Sequence, residues 1–126
     1  MIIDSPGYGY TYAPRKVRDQ WSKMMVGYLS HAVRLNLVIL LVNADLGLKT
    51  CDFEMLDKLK HYNKRVQVVF AKIDKVKGGE GVLNRNLEVA SKRLQIYNNV
   101  YPEIYLLSSI HRFGIKELRA RIVTHF

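Results

Sequence analysis

Residues 66–74 read Val-Gln-Val-Val-Phe-Ala-Lys-Ile-Asp, an apolar run that breaks directly into a polar loop. A short run rich in β-branched and aromatic residues is the pattern of a buried strand. Residues 37–42, Leu-Val-Ile-Leu-Leu-Val, form a second such run, bounded by Asn36 and Asn43 and apolar on both faces. That pattern predicts a parallel strand covered on both sides. Residues 104–107, Ile-Tyr-Leu-Leu, give a third strand, and residues 1–3 read as the end of a fourth. Helical spacing fills the gaps between them. Trp21, Met24, Met25, Tyr28 and Leu29 mark a helix over 15–35, and Phe53, Leu56 and Leu59 mark one over 51–62. Leu83, Leu87, Ala90, Leu94 and Tyr97 mark a helix over 82–97, and Leu118, Ile122 and Phe126 mark one over 115–126. Residues 77–81, Lys-Gly-Gly-Glu-Gly, read as a flexible loop before the third helix. Alternation of strand and helix predicts an α/β fold with a parallel sheet, right-handed crossovers and helices on both faces. All 126 residues read as a single domain.

Composition narrows the function classes. No apolar run approaches the roughly 18 residues or more that a membrane-spanning helix needs. The first residues carry neither a secretory signal pattern nor an Arg-rich transit pattern, so a cytoplasmic or organellar setting is expected and secretion is not. Cys51 is the single cysteine, and the histidines at 31, 61, 111 and 125 are scattered. An internal disulfide is therefore excluded, a zinc site is not indicated, and a reducing compartment fits best. The formal charge of +9 points to polyanions, nucleic acid above all. Basic residues are spread along the chain instead of gathered in one tail, which is also the pattern of a surface kept charged for solubility.

In open parallel sheets, ligands bind outside the carboxyl ends of the strands. Asp4-Ser5-Pro6-Gly7 follows the first run and fits the Asp-x-x-Gly pattern of GTPases. An aspartate there holds a magnesium ion through water, and a glycine lets a backbone N–H approach a terminal phosphate. Alone, the tetrapeptide reads better as an ordinary turn. Ala71-Lys72-Ile73-Asp74 fits the Asn/Thr-Lys-x-Asp pattern that reads guanine. A carboxylate there accepts a pair of N–H bonds that adenine does not offer, and the lysine stem packs along the ring. The competing reading is a solvated polar loop. Ser108-Ser109-Ile110 follows the last strand. A small residue there leaves a backbone N–H free to reach the guanine carbonyl, although a serine cap on the next helix explains the same residues. The order and placement of the motifs together match a Ras-like G domain.

Over residues 4–10 the sequence is Asp-Ser-Pro-Gly-Tyr-Gly-Tyr, which resembles the Asp-x-Pro-Gly-Tyr-Gly-Tyr stretch of the EngB (YihA-type) family. Trp21, Tyr28-Leu29, Lys49 to Asp52, Met55, Asp74-Lys75 and the closing Phe126 also follow that family's pattern. The resemblance covers essentially the whole chain. It implies a partial Ras-like P-loop GTPase fold and a GTP-binding protein that assists assembly of the large ribosomal subunit. It further implies Asp4 in the magnesium shell, with Gly7, Lys72, Asp74, Ser108 and Ser109 on GTP or GDP. No catalytic base is identifiable. The sequence departs from the family at Asn43 and Asp45-Leu46, where Asp and Arg-His are usual, and at Ala71, where threonine is usual. No Gly-x-x-x-x-Gly-Lys-Ser/Thr occurs in the 126 residues. The expected chain is therefore the carboxyl-terminal part of a G domain, without phosphate loop, first strand or first switch, and inactive in hydrolysis alone. The strand at 37–42 would then have an open apolar edge, so self-association or a displaced amino-terminal segment is expected. Two other readings stand beside it: a non-catalytic basic module that binds ribosomal RNA, and an unrelated flavodoxin-like α/β protein.

Overall fold

A computed structural model describes residues 2–4 and 14–126. The elements run α1 (Arg15–His31), β1 (Val38–Asn43), α2 (Thr50–His61), β2 (Val66–Ala71), a 3-10 turn (Ile73–Lys75), α3 (Gly79–Leu94), β3 (Tyr105–Leu107) and α4 (Ile115–Val123). The strands are parallel and ordered β1-β2-β3, as expected for an α/β sheet built from crossovers. Asn43 pairs with Ala71, and Ala71 with Leu107, so all three strands end at one level.

Side chains alternate between faces along each strand. Leu40 and Val42 of β1 and Val66, Val68 and Phe70 of β2 point to one face, where they form the core with Leu56 and Leu59 of α2 and Ala90 and Leu94 of α3. Leu29 of α1 joins the same cluster. On β3, Leu106 packs toward this core, whereas its neighbour Tyr105 accepts a hydrogen bond from Arg121 of α4 at 3.2 Å. Alternation therefore puts α4 on the opposite face. Gln67 is the polar exception in a buried strand. Its Nε2 donates to the Glu103 carbonyl at 2.7 Å and so pins β2 to the segment leading into β3.

Four expectations need correction. Residues 2–4 are exposed and form no strand, and the sheet among the described residues has three strands. The cause is the absence of a neighbour: no strand among the described residues lies along the outer edge of β1, so residues 2–4 have no ladder to join. Coverage of β1 on both faces also fails, because Leu41 is 58% exposed beside a buried Leu40. Among the described residues α4 is the helix on that side, and its main packing is against β3. The first helix stops at His31 instead of running to residue 35. Ser30 Oγ donates to the Gly27 carbonyl at 2.9 Å, and Lys64 Nζ donates to the Ala32 carbonyl at 2.7 Å, so carbonyls of the last turn and the cap are already satisfied. Finally, α3 starts at Gly79, within the stretch read as a loop, with Glu80 favourably placed in its first turn.

Gly114 shows why the last turn needs glycine. Its φ is +78°, and a Cβ there would run into the carbonyl oxygen of Leu106. That close approach lets Ser108 and Phe113 exchange backbone bonds at 3.1 and 2.9 Å, closing the loop between β3 and α4.

The difference between the two faces of β1 gives a direct test. Leu40→Ala should cost about 2–5 kcal/mol in urea unfolding, as buried leucine truncations do. Leu41→Ala, one residue on, should stay within about 0.5 kcal/mol of the parent.

Candidate guanine-binding site

The level strand ends bring the loops after β1, β2 and β3 to one side of the sheet. After β2, Lys72 adopts a left-handed conformation (φ 58°, ψ 42°) that reverses the chain into the 3-10 turn carrying Asp74. After β3, Ser108 is buried and Ser109 exposed. Ser108 Oγ donates to Asp74 Oδ1 at 2.8 Å. The backbone N–H of His111 donates in turn to Ser108 Oγ at 3.3 Å. A three-member chain thus links the two strand ends and fixes which way the Asp74 carboxylate faces.

This arrangement also sets the charge state. The Ser108 hydroxyl holds the Asp74 carboxyl below the ordinary carboxylate range. The Asp74 backbone and the positive charges of His111 and Lys75 add to that effect and outweigh the partial loss of solvent. Asp74 is therefore an ionised acceptor, oriented from one oxygen and open to solvent. A heterocycle that presents two adjacent N–H donors matches such a group.

The loop after β1 is tied to the same end by Asp45 and by Asn86, a residue that the sequence did not single out. Asn86 of α3 donates Nδ2 to the carbonyls of Ala44 and Asp45 at 2.9 and 3.2 Å. Asp45 accepts the backbone N–H of Lys77 at 2.9 Å, just beyond the turn that holds Asp74. The Asp45-Leu46 departure from the family pattern is therefore a structural tie between two strand-end loops. Asp52, one of the residues on which the family resemblance rests, is buried and accepts the Lys49 backbone N–H at 2.7 Å. It works as part of a capping box on α2.

The proposed phosphate and metal side is less complete. Gly7 lies outside the described residues. Asp4 is exposed and has no hydrogen bond or ion pair among them. No three His, Cys, Asp or Glu side chains converge among the described residues. Magnesium keeps several waters and needs few protein carboxylates, so a lone aspartate is chemically suited to its outer shell. The loops after β2 and β3 are joined through Asp74 and Ser108, whereas Asp4 stands apart from them without a hydrogen bond among the described residues.

No protein-family model matches the chain. The chain is 38% identical over 125 residues to a protein described as probable GTP-binding protein EngB from Jannaschia sp. (strain CCS1). It is 33% identical over 122 residues to its counterpart from Bartonella quintana (strain Toulouse). These matches cover 98% and 97% of the chain but 56% of each relative, so the chain spans about half the length of the curated relatives it matches. Among solved structures, the apo form of translation elongation factor SelB from Methanococcus maripaludis superposes with a TM-score of 0.74 at 26% identity, over 97% of this chain and 24% of that one. A crystal structure of a probable GTP-binding protein engB gives 0.71 at 21% identity, over 97% of this chain and 75% of that one. The class is that of the Ras-like P-loop GTPase folds, present here in part. Within that class the chain belongs with the EngB GTP-binding proteins, as residues 4–10 implied.

Removing the Ser108 hydroxyl should release Asp74. In Ser108→Ala, a carbon-13 NMR titration should show the Asp74 midpoint moving up toward the ordinary aspartate value with the fold intact. A midpoint already at the ordinary value in the parent chain would contradict the assignment.

Proposed function

We propose that this chain is the guanine-recognising part of a GTPase that assists assembly of the large ribosomal subunit. The observation that carries the reading is the Ser108–Asp74 hydrogen bond at 2.8 Å, which orients an ionised carboxylate at the ligand-binding end of a parallel sheet. Asp74 accepts the imino and amino N–H groups of guanine, and its free oxygen has solvent access for the purpose. Lys72 lays its stem along the base plane. The Ser109 backbone N–H makes no hydrogen bond among the described residues and meets the guanine carbonyl. Ser108 acts through Asp74 and is a positioning residue.

The phosphate end is assigned to Gly7, with Asp4 holding magnesium through water. Magnesium, when bound, neutralises charge on the phosphates. No sequence in the 126 residues supplies the Walker lysine or its neighbouring hydroxyl. The chain by itself is therefore assigned base recognition without hydrolysis, and only weak affinity for GTP or GDP. Ala71 lacks the hydroxyl that the family's threonine carries, which removes a further bond within the loop.

The formal charge of +9 supports ribosomal RNA as the polyanionic partner of the whole protein, in the cytoplasm or an organelle. The open edge of β1, where Ile39 and Leu41 turn their backbone groups away from β2, supports self-association of the chain when it is alone.

The test is a nitrogen-15 NMR titration of the 126-residue chain with GDP and magnesium, and separately with ADP. GDP should shift the amides of Lys72 to Lys75 and of Ser108 to His111, and ADP should not. Asp74→Asn should weaken the GDP response by about tenfold or more, as loss of a hydrogen bond to a charged group does. Equal shifts from both nucleotides, or a GDP response unchanged in Asp74→Asn, would overturn the reading.

A further inference from the structure

Away from the guanine side, a groove of about 120 Å³ lies between the turn after β1 and α3. Its floor is Ala90, which is buried, and Leu48, which is half-buried. Its walls are Leu46 and Val89, both more than half exposed at 59% and 53%. Arg85 and Arg93 stand at its rim, each four residues from Val89 and so on the same face of α3. The Arg93 guanidinium is held over the Phe53 ring at 3.8 Å, which fixes its position at the mouth. Neither arginine has a carboxylate partner among the described residues.

We propose that this groove docks a segment of another protein in which one apolar side chain is flanked by carboxylates. The volume lies somewhat below the roughly 150 Å³ of an engineered apolar cavity that accepts a benzene ring, and so suits a single aliphatic side chain such as leucine. Paired, unneutralised guanidiniums at opposite ends of an apolar floor match carboxylates on both sides of that residue. The apolar walls favour a peptide over a nucleic-acid backbone, which would use the arginines and leave Leu46 and Val89 wet. The groove is not isolated from the nucleotide end. Asn86 projects from the same helix and grips the carbonyls of Ala44 and Asp45. Gly47, in the wall, holds a left-handed turn (φ 70°) whose N–H bonds back to the Asn43 carbonyl at 2.9 Å. A bound segment therefore bears on the turn that Asp45 links to Lys77.

The probe is a fluorescein-labelled peptide, Asp-Glu-Leu-Glu-Asp, measured by anisotropy against the full 126-residue chain. Peptides with the leucine changed to serine, or the acids changed to amides, serve as comparisons, with a single-stranded oligouridine as the nucleic-acid probe. Charge reversal at both rim positions, Arg85→Glu with Arg93→Glu, should weaken the acidic peptide by about tenfold or more. Val89→Ser should weaken it by about threefold. All three positions are exposed, so circular dichroism should show the fold retained, with the double charge reversal lowering the melt modestly through loss of the Arg93–Phe53 contact and Val89→Ser melting close to the parent. The serine peptide should bind more weakly than the leucine peptide, and amide-shift changes should gather at Leu46, Leu48 and Val89. Affinity unchanged by charge reversal, or equal for the leucine and serine peptides, overturns the proposal. Oligouridine that binds through the same arginines but ignores Val89→Ser, while the acidic peptide does not bind, assigns the surface to nucleic acid and also overturns it.

Discussion

The level ending of the three strands is the constraint from which the rest follows. Parallel pairing of Asn43 with Ala71 and of Ala71 with Leu107 puts three loops on one rim. Because β2 and β3 stop together, Ser108 comes within hydrogen-bond distance of Asp74, although 34 residues separate them in sequence. A slip of one residue in either pair would turn the core side chains of that strand to the other face and lose the alignment as well. The same alternation that packs Leu40, Val68 and Leu106 against the helices therefore determines where Asp74 and Ser108 stand. Fold stability and site geometry share one cause.

Coverage of the sheet is uneven, and the energetics follow it. One face carries α1, α2 and α3 and holds the main core cluster, while Gln67 and Val69 of β2 are buried on the other. The other carries α4, none of whose residues is fully buried. Leu41 and Phe126 stay exposed on the molecule, at 58% and 75%. Lys72, Asp74, Ser108 and Ser109 sit beyond the ends of β2 and β3, on the better-supported half of the sheet. The Asp45–Lys77 bond and the grip of Asn86 extend that support to the loop after β1.

Much of this was legible in the sequence, because long apolar runs and helical periodicity are strong signals. The strands at 37–42, 66–70 and 104–107 and the central turns of all four helices fall where the patterns put them. Element ends were less legible, since they depend on caps supplied from elsewhere, such as Lys64 on the Ala32 carbonyl. Coverage was misread at Leu41, because a run of leucines looks the same whether one or both faces are packed. The guanine motif was legible as two separate loops. Their joining by the Ser108 hydroxyl was not, since it is a property of strand register. Asn86 gave no signal at all. Its partners are backbone carbonyls about 40 residues away, and an asparagine on a polar helix looks like any other surface residue.

The central claim is that Asp74, ionised and aimed by Ser108, receives the edge of guanine. The most direct measurement is the titration midpoint of the Asp74 carboxyl by carbon-13 NMR, taken without ligand, with guanosine and with adenosine. A base that binds only the ionised form must lower that midpoint, because proton and ligand compete for the same oxygens. The account predicts a midpoint that starts below the ordinary aspartate value, falls further with guanosine, and does not move with adenosine. A midpoint unmoved by guanosine at concentrations that shift the neighbouring amides would contradict it.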